Sequence, residues 1–235
     1  MGKTGMVADE AARNRTVSVE TPKYPPLRKI DHGVIPMDFS LVLASASPAR
    51  RTLLENAGLK IEVAPARIDE SSLRDSLTAE GAGPRDVADA LAEMKALRIS
   101  AKFPTRPVLG CDQVLDLGGE ILSKPKTPDE AREQLVRLRG RTHDLLSAAV
   151  ICEKGAPVWR HVGRVRLTVR RFSDTWLDGY LARNWPDISE SVGAYKLESE
   201  GVRLFSRIEG DYFTVLGLPL LDLLAFLTLR GDLPQ

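Results

Sequence analysis

A chain of 235 residues with 43% hydrophobic and 28% charged content has the size and balance of a globular protein with a sizeable core. Its formal net charge of +1 gives no bulk attraction to nucleic acid or to a membrane surface, so an anionic ligand has to be held locally. Two cysteines and three histidines without ligand spacing argue against a disulfide framework and a His-based zinc site, and fit a reducing cytoplasm.

Residues 1–36 carry Pro22, Pro25, Pro26 and Pro36 and show no hydrophobic periodicity. They are expected to be a disordered extension, with one folded domain over 37–235 and Met37 as a candidate start. The first 37 residues contain no apolar run of the signal-peptide kind.

The first buried strand is expected at Leu41-Val42-Leu43-Ala44, followed by Ser45-Ala46-Ser47-Pro48 and a helix ending near Gly58. Ser47 suits the N-cap and Pro48 the first helical position. A strand thus delivers a helix N-terminus with free N–H groups. Arg50 and Arg51 in its first turn oppose the helix dipole, a cost that a bound anion offsets. The spacing fits either a phosphate site or a capped helix with two solvated arginines.

Ile61 and Val63 read as a short strand, and residues 68–83 as a polar stretch. Pro84 opens a helix whose apolar face carries Val87, Ala88, Leu91, Ala92 and Lys95, with Leu97 or Arg98 at its edge. Lys95 on that face is either a snorkelling lysine or a cation aimed into a cleft. Residues 107–111 form a second buried strand that ends in Asp112-Gln113, the place where open α/β sheets put their chemistry. Residues 114–122 read as a hairpin around Gly118-Gly119, ending in Ser123-Lys124-Pro125. Thr127-Pro128-Asp129-Glu130 is a capping box that starts a helix stopped at Gly140. Strands are expected at 145–152, 162–169, 192–195 and 202–208, a Ser173-capped helix through Trp176 and Tyr180, and a buried helix after Gly217-Leu218-Pro219. Interspersed strands and helices indicate an α/β fold.

The charged residues beside these elements are Arg50, Arg51, Lys95 and Lys124 against Glu70 and Asp112. Four cations can hold a polyphosphate, and two carboxylates a hard divalent ion. No P-loop is present. His143 reads as a structural hydrogen-bonding residue, Cys111 as core, Trp176 and Tyr180 as core or dimer contacts. The Arg164, Arg166, Arg170 and Arg171 stripe reads as a solvated sheet face.

Seven motifs occur in order: Leu43-Ala44-Ser45-Ala46-Ser47-Pro48-Ala49-Arg50-Arg51, Asp69-Glu70, Lys95-Ala96, Gly110-Cys111-Asp112-Gln113, Lys124-Pro125, Gly140-Arg141-Thr142-His143, and Gly210-Asp211-Tyr212 with Gly217-Leu218-Pro219-Leu220. Over residues 38–230 the chain resembles the Maf family of nucleoside triphosphate pyrophosphatases. The resemblance implies an elongated, two-lobed Maf/ITPase-like α/β fold with a mixed twisted sheet and a central cleft, usually dimeric. It implies hydrolysis of a nucleoside triphosphate to monophosphate and pyrophosphate with Mg²⁺ or Mn²⁺, a house-cleaning activity in the cytoplasm without nucleic-acid or membrane partners. By position, Asp112 would activate water and Glu70 would act with it, the two holding the metal. Ser45, Ser47, Arg50, Lys95 and Lys124 would bind the triphosphate. Ala49, Gln113 and Glu198 fall where the family sets base specificity. Gln113 and Glu198 are similar to the 7-methyl-GTP branch rather than the thymidine/uridine branch, whereas Ala49 stands where the former branch has Trp. The alternatives are dTTP/UTP hydrolysis and a non-hydrolysing nucleotide-binding regulator of cell division, given the family's link to septum formation.

Overall fold

A computed structural model describes residues 39–234; the expected extension over 1–36, the candidate start at Met37 and Gln235 lie outside the described residues. Seven strands form one sheet: β1 (Ser40–Leu43), β2 (Lys60–Val63), β3 (Val108–Leu117), β4 (Glu120–Leu122), β5 (Thr142–Glu153), β6 (Ala156–Val169) and β7 (Phe205–Glu209). Their order is β2-β1-β3-β5-β6-β7, with β4 added to β3. β1 runs parallel to β2 and β3, and every other pairing is antiparallel. The sheet is therefore mixed, as expected.

The helices are α1 (Pro48–Asn56), α2 (Glu70–Ala79), α3 (Pro84–Ser100), α4 (Pro128–Leu138), α5 (Asp174–Asn184), the single turn α6 (Tyr212–Val215) and α7 (Leu220–Arg230). Side chains alternate across β3 and sort the core by face. Leu109 and Cys111 face α1 and α7, in a cluster with Leu41, Leu43, Leu54 and Leu223. Val114 packs on the other side under α3, with Leu91, Ala92, Ala148 and Val150. At the far ends of β5 and β6, Leu145, Val165 and Leu167 meet α4 and α5 in a separate cluster with Leu135, Leu177 and Tyr180. β5 has 12 residues, a span of roughly 40 Å at strand rise. Two cores at opposite ends of such strands make the two lobes.

Four expectations are corrected. Residues 108–117 form one strand, so Asp112 lies mid-strand rather than at a strand's end. It pairs with Ala148 of β5 while the β1 pairing stops at Leu109, so the long antiparallel neighbour carries β3 onward. The polar stretch after Ile68 contains α2, which starts at an Asp69 cap whose carboxylate accepts from Ser72 N at 3.0 Å. Residues 192–195 are not a strand, because Gly193 and Ala194 adopt φ of 79° and 58°, incompatible with extended pairing. The expected strand at 202–208 begins only at Phe205, since Glu200–Leu204 is a 3₁₀ turn.

His143, expected to be structural, is buried, and its Nε2 lies 2.7 Å from the Tyr195 hydroxyl. Burial pushes its pKa down to about 4, so the ring is neutral at neutral pH. Tyr180 donates to the Ala194 carbonyl at 3.1 Å and fixes the same turn. Trp176 stacks on Tyr180 with centroids 5.4 Å apart and lies under Arg170; Tyr180 is core, and Trp176 is half-buried against the same cluster. Arg164 and Arg166 both donate to Asp144, at 2.6 and 3.0 Å, which leaves that part of the stripe as a paired, solvated face.

Gly110 decides how close α3 comes to the sheet. A Cβ there would lie 2.1 Å from the Ala92 carbonyl oxygen and 2.6 Å from Ala96 N, backbone atoms that cannot swing aside. Gly110→Ala is expected to destabilise the fold by about 3 kcal/mol through overpacking. A thermal melt then shows a Tm lower by roughly 6–12 °C for a domain of this size. An unchanged Tm contradicts the packing role assigned to this glycine.

Candidate active site

One edge of β3 is open between its two short partners. β1 departs after Leu43, whose last bond to that edge is Ala44 N donating to Leu109 O at 2.8 Å. β4 begins at the Leu115 pairing. The residues between them have no strand on that side, and buried carbonyls there need another donor. Arg50 supplies it: Nη1 donates to Cys111 O at 3.1 Å and to Ser45 Oγ at 3.2 Å, and Nε donates to Gly217 O at 2.8 Å. Nη2 has no hydrogen-bond partner among the described residues. Arg50 thus joins α1, β3 and the turn before α7 and keeps one nitrogen to offer an anion.

The helix entry is built as expected. Ser47 has extended backbone angles and its Oγ accepts from Arg50 N at 3.4 Å, with Pro48 at the first helical position. Ser45 is buried, and its Oγ also accepts from Ser47 N at 3.2 Å. Arg51 points away and pairs with Glu55 at 2.8 Å, so it is the solvated member of the two arginines.

Asp112 sits in the gap, on the face of β3 covered by α3. Because Gly110 lets α3 approach, Lys95 Nζ reaches Asp112 Oδ1 at 2.7 Å, and both side chains are only 8% exposed. The same ammonium holds Glu70 Oε1 at 2.9 Å, from the first turn of α2. The side chain of Glu70 is 43% exposed and forms the outer, wet end of this row. Burial raises the Asp112 pKa above the ordinary carboxylate value, while Lys95 and Arg50 pull it back. Lys95 is therefore a buried counter-ion rather than a snorkelling lysine. Burial also pushes the Cys111 thiol up to about 11, so it is a core residue and not a thiolate nucleophile.

The donor set suits a hard cation. Asp112 and Glu70 each give one oxygen to Lys95 and keep a second, and oxygen ligands of this kind bind Mg²⁺ or Mn²⁺ with water and phosphate oxygens completing the shell. Among the described residues no group of three or more His, Cys, Asp or Glu side chains forms an all-protein metal cage.

Gln113 points to the opposite face. Its Nε2 donates to Val215 O at 2.9 Å, Ser147 Oγ at 3.0 Å and Thr214 O at 3.2 Å, and Ser147 itself donates to Thr214 O at 2.7 Å. Two carbonyls and a hydroxyl whose proton is committed accept only from an amide N–H₂, so the orientation of Gln113 is fixed. Its Oε1, with no donor among the described residues, is the atom left to meet a ligand.

Three expected site residues stand further out. Lys124 follows β4, with a side chain 59% exposed and Nζ 3.9 Å from Glu190 Oε2. Ala49 is half-buried on the first turn of α1. Glu198 is exposed in the turn before Glu200, and no hydrogen bond or ion pair joins it to Gln113 among the described residues. The structure adds Ser147 and Arg74. Ser147 is hidden in an apolar run, and only the strand register reveals its partner. Arg74 stands four residues after Glu70, a spacing that signals a shared helix face once residues 70–79 are known to be helical.

A family model described as Maf-like protein matches residues 40–229. A nucleoside triphosphate pyrophosphatase of Roseobacter denitrificans is 62% identical over 195 residues, covering 83% of this chain and 98% of that protein. A 7-methyl-GTP pyrophosphatase of Rhizobium meliloti is 51% identical over 191 residues, covering 81% of this chain and 96% of that protein. Among solved structures, a HAM1 protein from Coxiella burnetii aligns with a TM-score of 0.41 at 17% identity, over 57% of this chain and 75% of that one. That likeness is too slight to bear on the site.

Lys95→Met keeps the length of the side chain and removes the charge, leaving Asp112 buried without its counter-ion. A carboxyl whose folded pKa lies above its unfolded value favours folding below the unfolded pKa and loses that contribution as pH rises through the folded one. The variant is expected to be less stable than the parent by about 3 kcal/mol at pH 8 and to recover part of the loss at pH 5. Urea unfolding of both proteins at the two pH values checks this; an equal loss at pH 5 and pH 8 contradicts the buried pairing.

Proposed function

The chain belongs to the Maf-like protein family, and on that premise we propose that it hydrolyses nucleoside triphosphates to the monophosphate and pyrophosphate. The observation that carries the reading is Asp112: a buried carboxylate held by Lys95, beside a helix N-terminus and an arginine that are ready for an anion. Phosphoanhydride hydrolysis consists mainly of positioning and charge neutralisation, and these groups provide both.

Ser45, Ser47 and the Ala49 N–H receive phosphate oxygens, the neighbouring N–H groups of α1 being taken up by Ser47, with Arg50 Nη2 and the third N–H of Lys95 adding charge-assisted donors. Lys124 approaches from the β4–α4 side. Asp112 orients a water with its free oxygen and takes a proton as the water attacks the α-phosphorus. The bond from that phosphorus to the α–β bridging oxygen breaks, and pyrophosphate leaves. Glu70 and Asp112 would hold Mg²⁺ or Mn²⁺, and such an ion, when bound, would supply neutralisation of the charge on the leaving group. The raised pKa of Asp112 makes it a better base than a solvated aspartate.

Gln113 Oε1 has no donor among the described residues, which suits acceptance from a base that presents N–H donors, as guanine does. Ala49 leaves room where an aromatic side chain would fill the pocket. Gln113 favours a modified purine such as 7-methylguanine, the substrate class in the name of the Rhizobium meliloti relative, whereas Ala49 lacks the aromatic surface that would stack on such a base. The resemblance to the family supports a homodimer as the working unit, and the two cysteines outside any disulfide framework suit the cytoplasm. Among the described residues no helix is long and apolar enough to cross a membrane.

A panel of ordinary and modified triphosphates with Mg²⁺ or Mn²⁺ is expected to yield monophosphate and pyrophosphate, fastest with 7-methyl-GTP; release of orthophosphate and diphosphate overturns the reading. Asp112→Asn is expected to lower kcat by about 10²–10⁴. Near-parental turnover in that variant removes Asp112 from the catalytic role.

A further inference from the structure

Resting on the pyrophosphatase reading, we propose that Arg74 binds the two terminal phosphates, the half of the substrate that leaves as pyrophosphate. Nothing in the seven sequence motifs points to this residue, and it enters only with α2. Glu70 and Arg74 are one helical turn apart and share a face. Glu70 reaches Lys95 in the catalytic row. Arg74 Nη1 donates to Ser123 Oγ, across from α2 to the segment after β4. Ser123 is the residue before Lys124, and its carbonyl is held by Gln134 Nε2 at 2.8 Å. Arg74 thus touches the segment that carries Lys124, whose ammonium lies 3.9 Å from Glu190 Oε2.

Arg74 shares the lack of an ion-pair partner with Arg50 and Arg85, among the described residues. Arg132, Arg137, Arg160 and Arg183 each sit on a carboxylate. Arg74 is half-buried and meets only a neutral hydroxyl, with no carboxylate in ion-pair range among the described residues. Four of its five N–H donors stay uncommitted, arranged for bidentate contact with phosphate. The other cations of the site are largely engaged: Lys95 by two carboxylates, Arg50 by two carbonyls and Ser45. A triphosphate needs further neutralisation at its far end, and Arg74 with Lys124 supplies it.

The mounting of Arg74 fits this task. α2 buries no side chain fully and is held by partly buried Ile68, Leu73 and Leu77 against the cluster under α3. Glu70, in contact with Lys95, and Arg74 lie one turn apart on this helix and so face the same ligand.

Inorganic pyrophosphate with Mg²⁺ is the probe, measured by titration calorimetry and as a product inhibitor. Arg74→Gln is expected to weaken pyrophosphate about tenfold and to raise KM for the triphosphate by a similar factor, with monophosphate inhibition within twofold of the parent. Arg74→Lys is expected to recover part of the pyrophosphate affinity. Ser123→Ala, which removes only the resting partner, is expected to keep pyrophosphate affinity within twofold. Unchanged pyrophosphate binding in Arg74→Gln overturns the assignment, and so does equal weakening of monophosphate and pyrophosphate. If the parent hydrolyses no triphosphate, the pyrophosphatase reading fails by itself, while the calorimetric comparison still decides whether Arg74 holds pyrophosphate.

Discussion

The site depends on the close contact of α3 with β3 at Gly110. That contact places a lysine from a helix face directly on an aspartate in the middle of a buried strand. Neither charge is tolerable alone in such surroundings, since desolvation costs each several kcal/mol. Together they form a pair that is stable yet poised, because burial still lifts the carboxyl above its ordinary pKa. Moving α3 outward by the width of a methyl group would separate the two. The glycine is thus a packing residue with a chemical consequence.

The second constraint is an unfilled position in the sheet. β1 and β4 both pair with the same edge of β3, and neither reaches the other. The chain leaving β1 turns through Ser45 and Ser47 into α1, and the guanidinium of Arg50 takes over the carbonyl that a strand would have paired. The gap therefore brings together a helix N-terminus, an arginine and a carboxylate from three distant stretches of sequence. Sheets elsewhere use strand ends for this purpose. Here an interrupted edge serves, and β3 continues past the site to build the second lobe.

Much of this was legible in the chain. Ser47 and Pro48 announce the helix entry by cap chemistry, Gly118-Gly119 a tight turn, and the apolar run around Val150 a central strand. Arg50, Lys95 and Asp112 follow from charge placed beside buried elements, and their order matches a known family. What stayed hidden has physical reasons. α2 buries no side chain fully, so its helical period is weak and Arg74 reads as one more polar residue. The turn at Gly193 and Ala194 is held by tertiary contacts with Leu115 and Tyr180, which local β-propensity does not reveal. The orientation of Gln113 depends on carbonyls about a hundred residues away. Glu198 shows the reverse case, a residue marked by the resemblance that stands exposed, with no hydrogen bond or ion pair to Gln113 among the described residues.

The account makes Asp112 the group that delivers water to one particular phosphorus, with the far phosphates bound by cations and leaving together. Hydrolysis in ¹⁸O-labelled water, followed by mass or ³¹P analysis of both products, tests this most directly. The account predicts one ¹⁸O in the nucleoside monophosphate and none in the pyrophosphate. Label in the pyrophosphate, or any labelled orthophosphate formed directly from the triphosphate, would place the attack elsewhere and contradict it.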